Sequence, residues 1–139
     1  MTVASIAGDP HIGPWIIPAR VQNIVTREYA RQHGCDISYV IPEPIFSNQF
    51  LTTIWIHKYS SLHVLFFCSI LQLPVDESYA RRLSSTLANI EIYFAFEDKA
   101  GCGEKFLLDT CKEASLFKTA HSRLDENITS LFDLYKHHS

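Results

Sequence analysis

Four short apolar runs, each cut off by a turn signal and separated by stretches of helical period, constrain the fold of this chain more than any other feature. The runs are residues 2–7, ended by Gly8-Asp9-Pro10; 36–41, stopped by Pro42; 62–71, stopped by Pro74, with the strand expected in its first half; and 91–96, ended by Glu97-Asp98. Three of them are near-continuous rather than alternating, the pattern of strands buried on both faces. Between them, apolar residues recur at steps of three and four. Residues 19–33 carry Val21, Ile24, Val25 and Tyr29 on one face, with Arg20, Arg27 and Arg31 more exposed. Ser47 or Asn48 can cap a second helix bearing Leu51, Ile54, Trp55 and Tyr59, and Asp76 a third bearing Tyr79, Leu83, Leu87 and Ile90. Gly34 fits the left-handed residue that closes a helix. The order β-α-β-α-β-α-β predicts parallel strands joined by right-handed crossovers.

The expected fold class is α/β: a single domain with a short parallel four-stranded sheet and flanking helices, flavodoxin-like or resolvase-like, plus C-terminal helices. Residues 1–98 form the expected α/β core, and 99–139 a helical extension of the same domain. Gly101-Cys102-Gly103 reads as a turn. Leu107, Leu108, Cys111 and Ala114, then Ile128, Leu131, Phe132 and Tyr135, predict one or two amphipathic helices that cover the sheet or build a subunit interface. A length of 139 residues fits one such domain.

Composition narrows the function. Only 19% of residues are charged, below the usual quarter, so more apolar surface is expected than a lone monomer tolerates, and a homo-oligomer is anticipated. The net charge is −3, and no basic cluster exceeds Arg81-Arg82, which argues against nucleic acid and membrane surfaces as partners. The start, MTVASIAGDPHIG, lacks the basic and long apolar regions of a signal peptide, and residues 62–74 are too short to span a bilayer. Cysteines 35, 68, 102 and 111 show no CxxC spacing, and His57, His63, His121, His137 and His138 no metal-ligand spacing. A cytoplasmic protein with free thiols, no metal and no bound cofactor is expected.

In open parallel sheets, ligands gather outside the carboxyl ends of the strands, which selects the loops after each strand. The segment GDPHIGPWIIPARVQN is long and proline-rich for such a loop, although its two glycines, Gly8 and Gly13, match neither GxGxxG nor a Walker loop. Candidate catalytic residues are Glu43, Glu97, His11 and Asp9. Glu43 lies between Pro42 and Pro44, which fix its direction, and with Glu97 it offers a carboxylate pair for acid–base work. His11 beside Asp9 offers a general base and its orienting partner, a pair that turn residues near a helix start also produce. Candidate ligand-binding residues are Arg20, Gln22, Asn23, Ser47, Ser69 and Gln72. Arg20, in a first helical turn, suits an anionic group as well as it suits solvent. The amides of Gln22 and Asn23 suit hydroxyls or a local cap. Ser69 and Gln72 interrupt the apolar run VLFFCSILQLP and must find a partner, either a ligand or a neighbouring loop. Ser5 and Cys68 have no nearby sequence-marked base and are expected to be structural.

The segments IPARVQNIVTREYARQHG, PEPIFSNQF, FFCSILQLPVDESYARR and IYFAFED resemble the "sporadic carbohydrate cluster" protein family, small proteins encoded among genes for surface-carbohydrate biosynthesis. The resemblance covers residues 3–98. Its specific strings fall on Pro18, Val21, Gln22, Asn23, Val25, Arg27 and Tyr29, and on Ser69, Gln72, Leu73 and Pro74. The chain departs from the family at SIAGDPHIG, where a Tyr-Ile-Gly-Ser-Arg-like string is expected and no basic residue stands. The element order also resembles the catalytic domain of serine recombinases; Ser5 would occupy the nucleophile's place, but the arginine set is missing. The first resemblance implies a small enzyme or accessory enzyme acting on a sugar or sugar nucleotide by cofactor-free acid–base chemistry of isomerase, epimerase or lyase type. The alternative is a non-catalytic binding or assembly protein of a biosynthetic cluster, and a degenerate recombinase-like DNA protein comes third.

Overall fold

The computed structural model describes residues 1–43 and 48–138. In chain order it contains β1 (Val3–Ala7), β2 (His11–Ile12), β3 (Trp15–Ile16), α1 (Ala19–Gln32), β4 (Tyr39–Pro42), α2 (Leu51–Ser60), β5 (Val64–Phe67), a 3-10 turn (Ile70–Gln72), α3 (Glu77–Thr86), β6 (Glu91–Phe94), β7 (Lys99–Cys102) and α4 (Glu104–His138). The main sheet has the order β4-β1-β5-β6-β7. The first four strands are parallel, as the alternating pattern requires. Numbered within this sheet alone, the order is 2-1-3-4-5, the flavodoxin-like winding, which places a topological switch point between β1 and β5.

The apolar runs behave as strands covered on both faces: all five residues of β1 and all four of β5 are buried. Successive side chains point to opposite faces, so Phe66 and Phe67 serve different layers. On one face Val3, Val64 and Phe66 meet Tyr29 and Ala30 of α1, and Phe66 stacks on Tyr93 at 4.7 Å. On the other, Ile6, Ile41, Leu65, Phe67, Ile92 and Phe94 are covered by Ala80, Leu83 and Leu87 of the α3 segment and by Leu107, Cys111 and Ala114 of α4. Asp76 caps α3 by accepting from the backbone N–H groups of Ser78 and Tyr79, and Gly34 takes a positive φ of 73° after α1, both as the sequence leads one to expect.

The structure corrects three expectations and narrows a fourth, the one or two C-terminal helices, to one. The sheet has five strands rather than four, because residues 99–102 fold back antiparallel on β6 through a turn in which Asp98 adopts a left-handed conformation. Gly101-Cys102 therefore belong to a strand, and Gly103, at φ +104°, makes the turn into α4. The C-terminal region is a single helix of 35 residues, uninterrupted by Gly or Pro and on the order of 50 Å long. The buried face of α1 is Gln22, Thr26, Tyr29 and Ala30, while Val21 and Ile24 are exposed. Of the two polar residues on this face, Gln22 bonds the loop before the helix and Thr26 bonds carbonyls of the helix itself. Finally, α2 begins at Leu51 behind a left-handed Phe50 with no side-chain cap of its own, and Leu51, Trp55 and Tyr59 face solvent. Ser47 lies outside the described residues.

Gly101 carries a testable packing constraint. A Cβ at this position would lie 2.5–2.7 Å from the ring of Phe106, which packs against the core. Gly101→Ala is expected to destabilise the chain by about 1–3 kcal/mol, the usual cost of overpacking. Chemical denaturation would register it as a lower midpoint with an unchanged slope.

Candidate functional site

The residues after β1, β4 and β5 enclose a cavity of about 230 Å³ at the carboxyl ends of these strands, where β1 and β5 meet. Gly8, Asp9, His11, Glu43, Asn48, Phe50, Leu71, Gln72 and Lys118 line it. It is smaller than the ~300–1,000 Å³ of sites for drug-sized ligands, and suits one ring rather than an extended molecule.

Glu43 follows directly on β4, and its backbone N–H donates to the Ala7 carbonyl at 3.0 Å, fixing it beside the end of β1. Its Oε1 accepts from both the backbone N–H (2.8 Å) and the hydroxyl of Thr53 in the first turn of α2. That bond supplies the cap that Phe50 lacks. Its Oε2 is buried with no hydrogen-bond partner among the described residues. Burial raises the Glu43 carboxyl above the ordinary carboxylate range, against the lowering effect of the Thr53 bonds. One oxygen is thus structural, while the other has no partner among the described residues.

Across the cavity, Asp9 and His11 are joined twice. The Asp9 carboxylate accepts from the His11 backbone N–H at 2.8 Å and lies 3.0 Å from Nδ1 of the imidazole. The backbone bond is the main cause that lowers the Asp9 carboxyl below its usual value. This pairing orients the ring and leaves Nε2 open to a ligand or a proton. The loop carrying the pair is a small hairpin, β2 with β3, turning at Gly13, whose φ is +58°.

Gln22 holds that loop in place. Fully buried on α1, it accepts from the Gly8 backbone N–H at 3.2 Å and donates to the carbonyls of Asp9 and Ile17 at 3.1 and 2.7 Å. It also accepts from the Gln72 side chain at 3.2 Å. All four hydrogen-bonding positions of the amide are occupied within the protein, so Gln22 shapes the site without a bond left for ligand. Gln72 accepts from the backbone N–H groups of Cys68 and Ser69, and keeps one amide hydrogen for the cavity it lines.

Ser69 and Glu97 form a pair of their own. The Ser69 hydroxyl donates to Glu97 Oε2 at 2.7 Å and accepts from the Leu71 N–H, while Glu97 Oε1 accepts from the Ile70 N–H. Together they cap the 3-10 turn. Glu43 follows β4 and Glu97 follows β6, with β1 and β5 between them in the sheet, and the two side chains line different cavities. The paired carboxylates expected from the sequence are not brought together, and Glu97 lies instead by a groove with Trp15, Ile16, Ile17 and Phe96. Arg20 is exposed on the first turn of α1, outside the cavity wall. The Asn23 Oδ1 is buried without a partner among the described residues and likewise lies outside the wall. Ser5 is fully buried in β1, and burial pushes the Cys68 thiol up to about 12, so neither is placed as a nucleophile.

Lys118 is the charged wall residue that sequence reasoning passes over, as it does the apolar Phe50 and Leu71. It continues the stripe Leu107, Cys111, Ala114 at the next helical step, in the phase of residues that face the body of the fold. A lysine in a buried phase was the available signal. Its Nζ donates to the Leu73 carbonyl at 3.5 Å, and burial lowers its pKa from the usual lysine value.

No protein-family model matches the chain, and no curated relative matches it either. Among solved structures, it is similar to the N-terminal catalytic domain of TP901-1 integrase, at 15% identity and a TM-score of 0.57. The match covers 94% of this chain and 98% of the integrase domain. This likeness supports the fold-level analogy to recombinase catalytic domains and extends no further, since one fold serves many chemistries. Among the described residues, no helix is long and apolar enough to cross a membrane.

Proposed function

We propose that this chain is a small cytoplasmic enzyme, or accessory enzyme, that acts on a sugar or sugar nucleotide by cofactor-free acid–base chemistry of isomerase, epimerase or lyase type. The observation that carries the reading is Glu43, a carboxylate of raised pKa in the wall of a strand-end cavity, clamped by Thr53 through one oxygen and without a partner among the described residues at the other. A positioned carboxyl that holds its proton more tightly than usual is suited to exchange a proton with a bound substrate. His11, oriented by Asp9, supplies a second proton-transfer group, while Asn48 and Gln72 offer amides to hydroxyls and Phe50 and Leu71 an apolar wall to a ring face. The sequence resemblance of residues 3–98 to proteins encoded with surface-carbohydrate genes is part of the same proposal and has no matching family model behind it. The test is thermal stability across free sugars, sugar phosphates, nucleotide sugars and duplex DNA. A ligand at ~100 times its dissociation constant adds about 2.7 kcal/mol. A shift with a sugar compound is the expected result, and a shift with DNA alone would reverse the assignment.

A homo-oligomer is part of the same proposal. Every described side chain from Ser122 to Lys136 is exposed, yet Leu124, Ile128, Leu131 and Tyr135 follow steps of four, three and four, the spacing of a seam between paired helices. A second copy of α4 satisfies that seam. Ile128→Asp is expected to weaken self-association by about 100-fold, as loss of a central apolar contact does, with unchanged helical content. Sedimentation at graded concentrations would read it; an unaltered mass distribution contradicts the pairing. The same exposed stripe favours the second reading, an assembly protein without catalysis, which predicts a protein partner and no shift with any sugar. A DNA-handling role like that of the integrase has the fold alone behind it, and here Ser5 is buried.

A further inference from the structure

A second cavity, of about 250 Å³, adjoins the first and shares His11, Leu71 and Lys118 with it. The two differ in chemistry. The inner one contains the carboxylates of Asp9 and Glu43 and the amides of Asn48 and Gln72. The outer one has no carboxylate in its wall, and its polar side chains are His11, Lys118, His121 and Ser122. Each histidine gives one ring nitrogen to a carboxylate outside that wall, His11 to Asp9 at 3.0 Å and His121 to Asp125 at 3.3 Å. The other nitrogen of each ring bonds no described residue. Lys118 stands at the junction, half-buried, with a carbonyl at 3.5 Å and no carboxylate within 4.0 Å among the described residues. A half-buried ammonium without a counter-ion is unfavourable unless an anion joins it.

Resting on the sugar-site reading above, we propose that the ligand is a phosphorylated sugar whose ring occupies the inner cavity and whose phosphate ester lies in the outer one, held by Lys118 with His11, His121 and Ser122. Lysine binds phosphate as a point charge, and the shared wall places it between ring and ester. The phosphate comes either from a simple sugar phosphate or from the diphosphate of a nucleotide sugar, and both present the same oxyanion at the junction. The C-terminal helix, which lies outside the family resemblance, thereby contributes part of the binding site.

The test is calorimetric titration of the full chain with glucose, galactose and mannose, their 1-phosphates, the corresponding nucleotide sugars and inorganic phosphate. One phosphorylated form is expected to bind at least about tenfold more tightly than its free hexose, the return on one or two charge-assisted hydrogen bonds. Lys118→Gln should bring that ratio close to one. His121→Gln, a change on an exposed helical turn, should reduce it in part, and serves as the second variant if Lys118→Gln does not fold. Tighter binding of the nucleotide sugar than of the 1-phosphate identifies the diphosphate as the source; equal binding identifies the simple ester. A wild-type ratio near one, with free-hexose binding weakened by Glu43→Gln, overturns the phosphate proposal and leaves the sugar site standing. Absence of binding by every sugar compound overturns both. A ratio that survives both substitutions removes the outer cavity from recognition.

Discussion

Replacing Glu43 by Gln is expected to lower turnover by about 10²–10⁴-fold, the usual contribution of a positioned acid–base group, while making the protein more stable at neutral pH. The substitution keeps an oxygen that can accept from Thr53, so the cap of α2 survives, but it removes the proton-carrying carboxyl and its buried charge. The sign of the stability change follows from the raised pKa. A carboxyl that holds its proton more tightly when folded favours folding at low pH, and that advantage is lost as pH rises through its folded value. The parent therefore melts below Glu43→Gln at pH 7.5, and the gap closes below about pH 4, where the carboxyl is protonated in both states. Melting curves of the two proteins from pH 3.5 to 8 measure this directly. Equal melting temperatures at every pH would mean that Glu43 carries no buried charge.

The second large effect is expected at Gln22. Gln22→Leu retains the side-chain bulk but strands the Gly8 N–H and the Asp9 and Ile17 carbonyls, and removes the acceptor for Gln72. Unpaired groups of this kind cost about 1–3 kcal/mol each when buried, and less where water reaches them. A total loss of about 3 kcal/mol is expected, read by chemical denaturation, together with weakened binding because the Asp9-His11 hairpin loses its anchor. A loss under about 1 kcal/mol would mean that the hairpin holds itself in place.

The sheet was legible because its central strands are buried on both faces, and burial of that kind writes continuous apolar runs such as VASIA and VLFF. The antiparallel β7 was not legible: KAGC is short, half-exposed and glycine-containing, and only its neighbour β6 makes it a strand. The phase of α1 was misread at its start because Gln22, which bonds the preceding loop, and Thr26, which bonds carbonyls of its own helix, face inward with Tyr29 and Ala30, while Val21 and Ile24 are left outside. Strand-end reasoning gathered Asp9, His11, Glu43 and Gln72 into one neighbourhood, and the structure places all four in one cavity wall. It also grouped Glu97 with Glu43, since both follow strands; only the strand order separates them. Lys118 lies 75 positions beyond Glu43 and reaches the cavity by folding of α4 against the body, a long-range fact that local spacing does not encode.

The central claim, proton exchange with a sugar in the Glu43 cavity, is tested most directly by incubating the protein in deuterated water with each sugar compound that raises its melting temperature. Proton NMR would follow loss of carbon-bound hydrogen from the sugar. The account predicts catalysed exchange, or a new product, at one position of one bound sugar, slowed by about 10²–10⁴-fold in Glu43→Gln. A sugar that binds at this site yet neither exchanges a hydrogen nor changes in the presence of wild-type protein would contradict it, and would make this chain a binding protein.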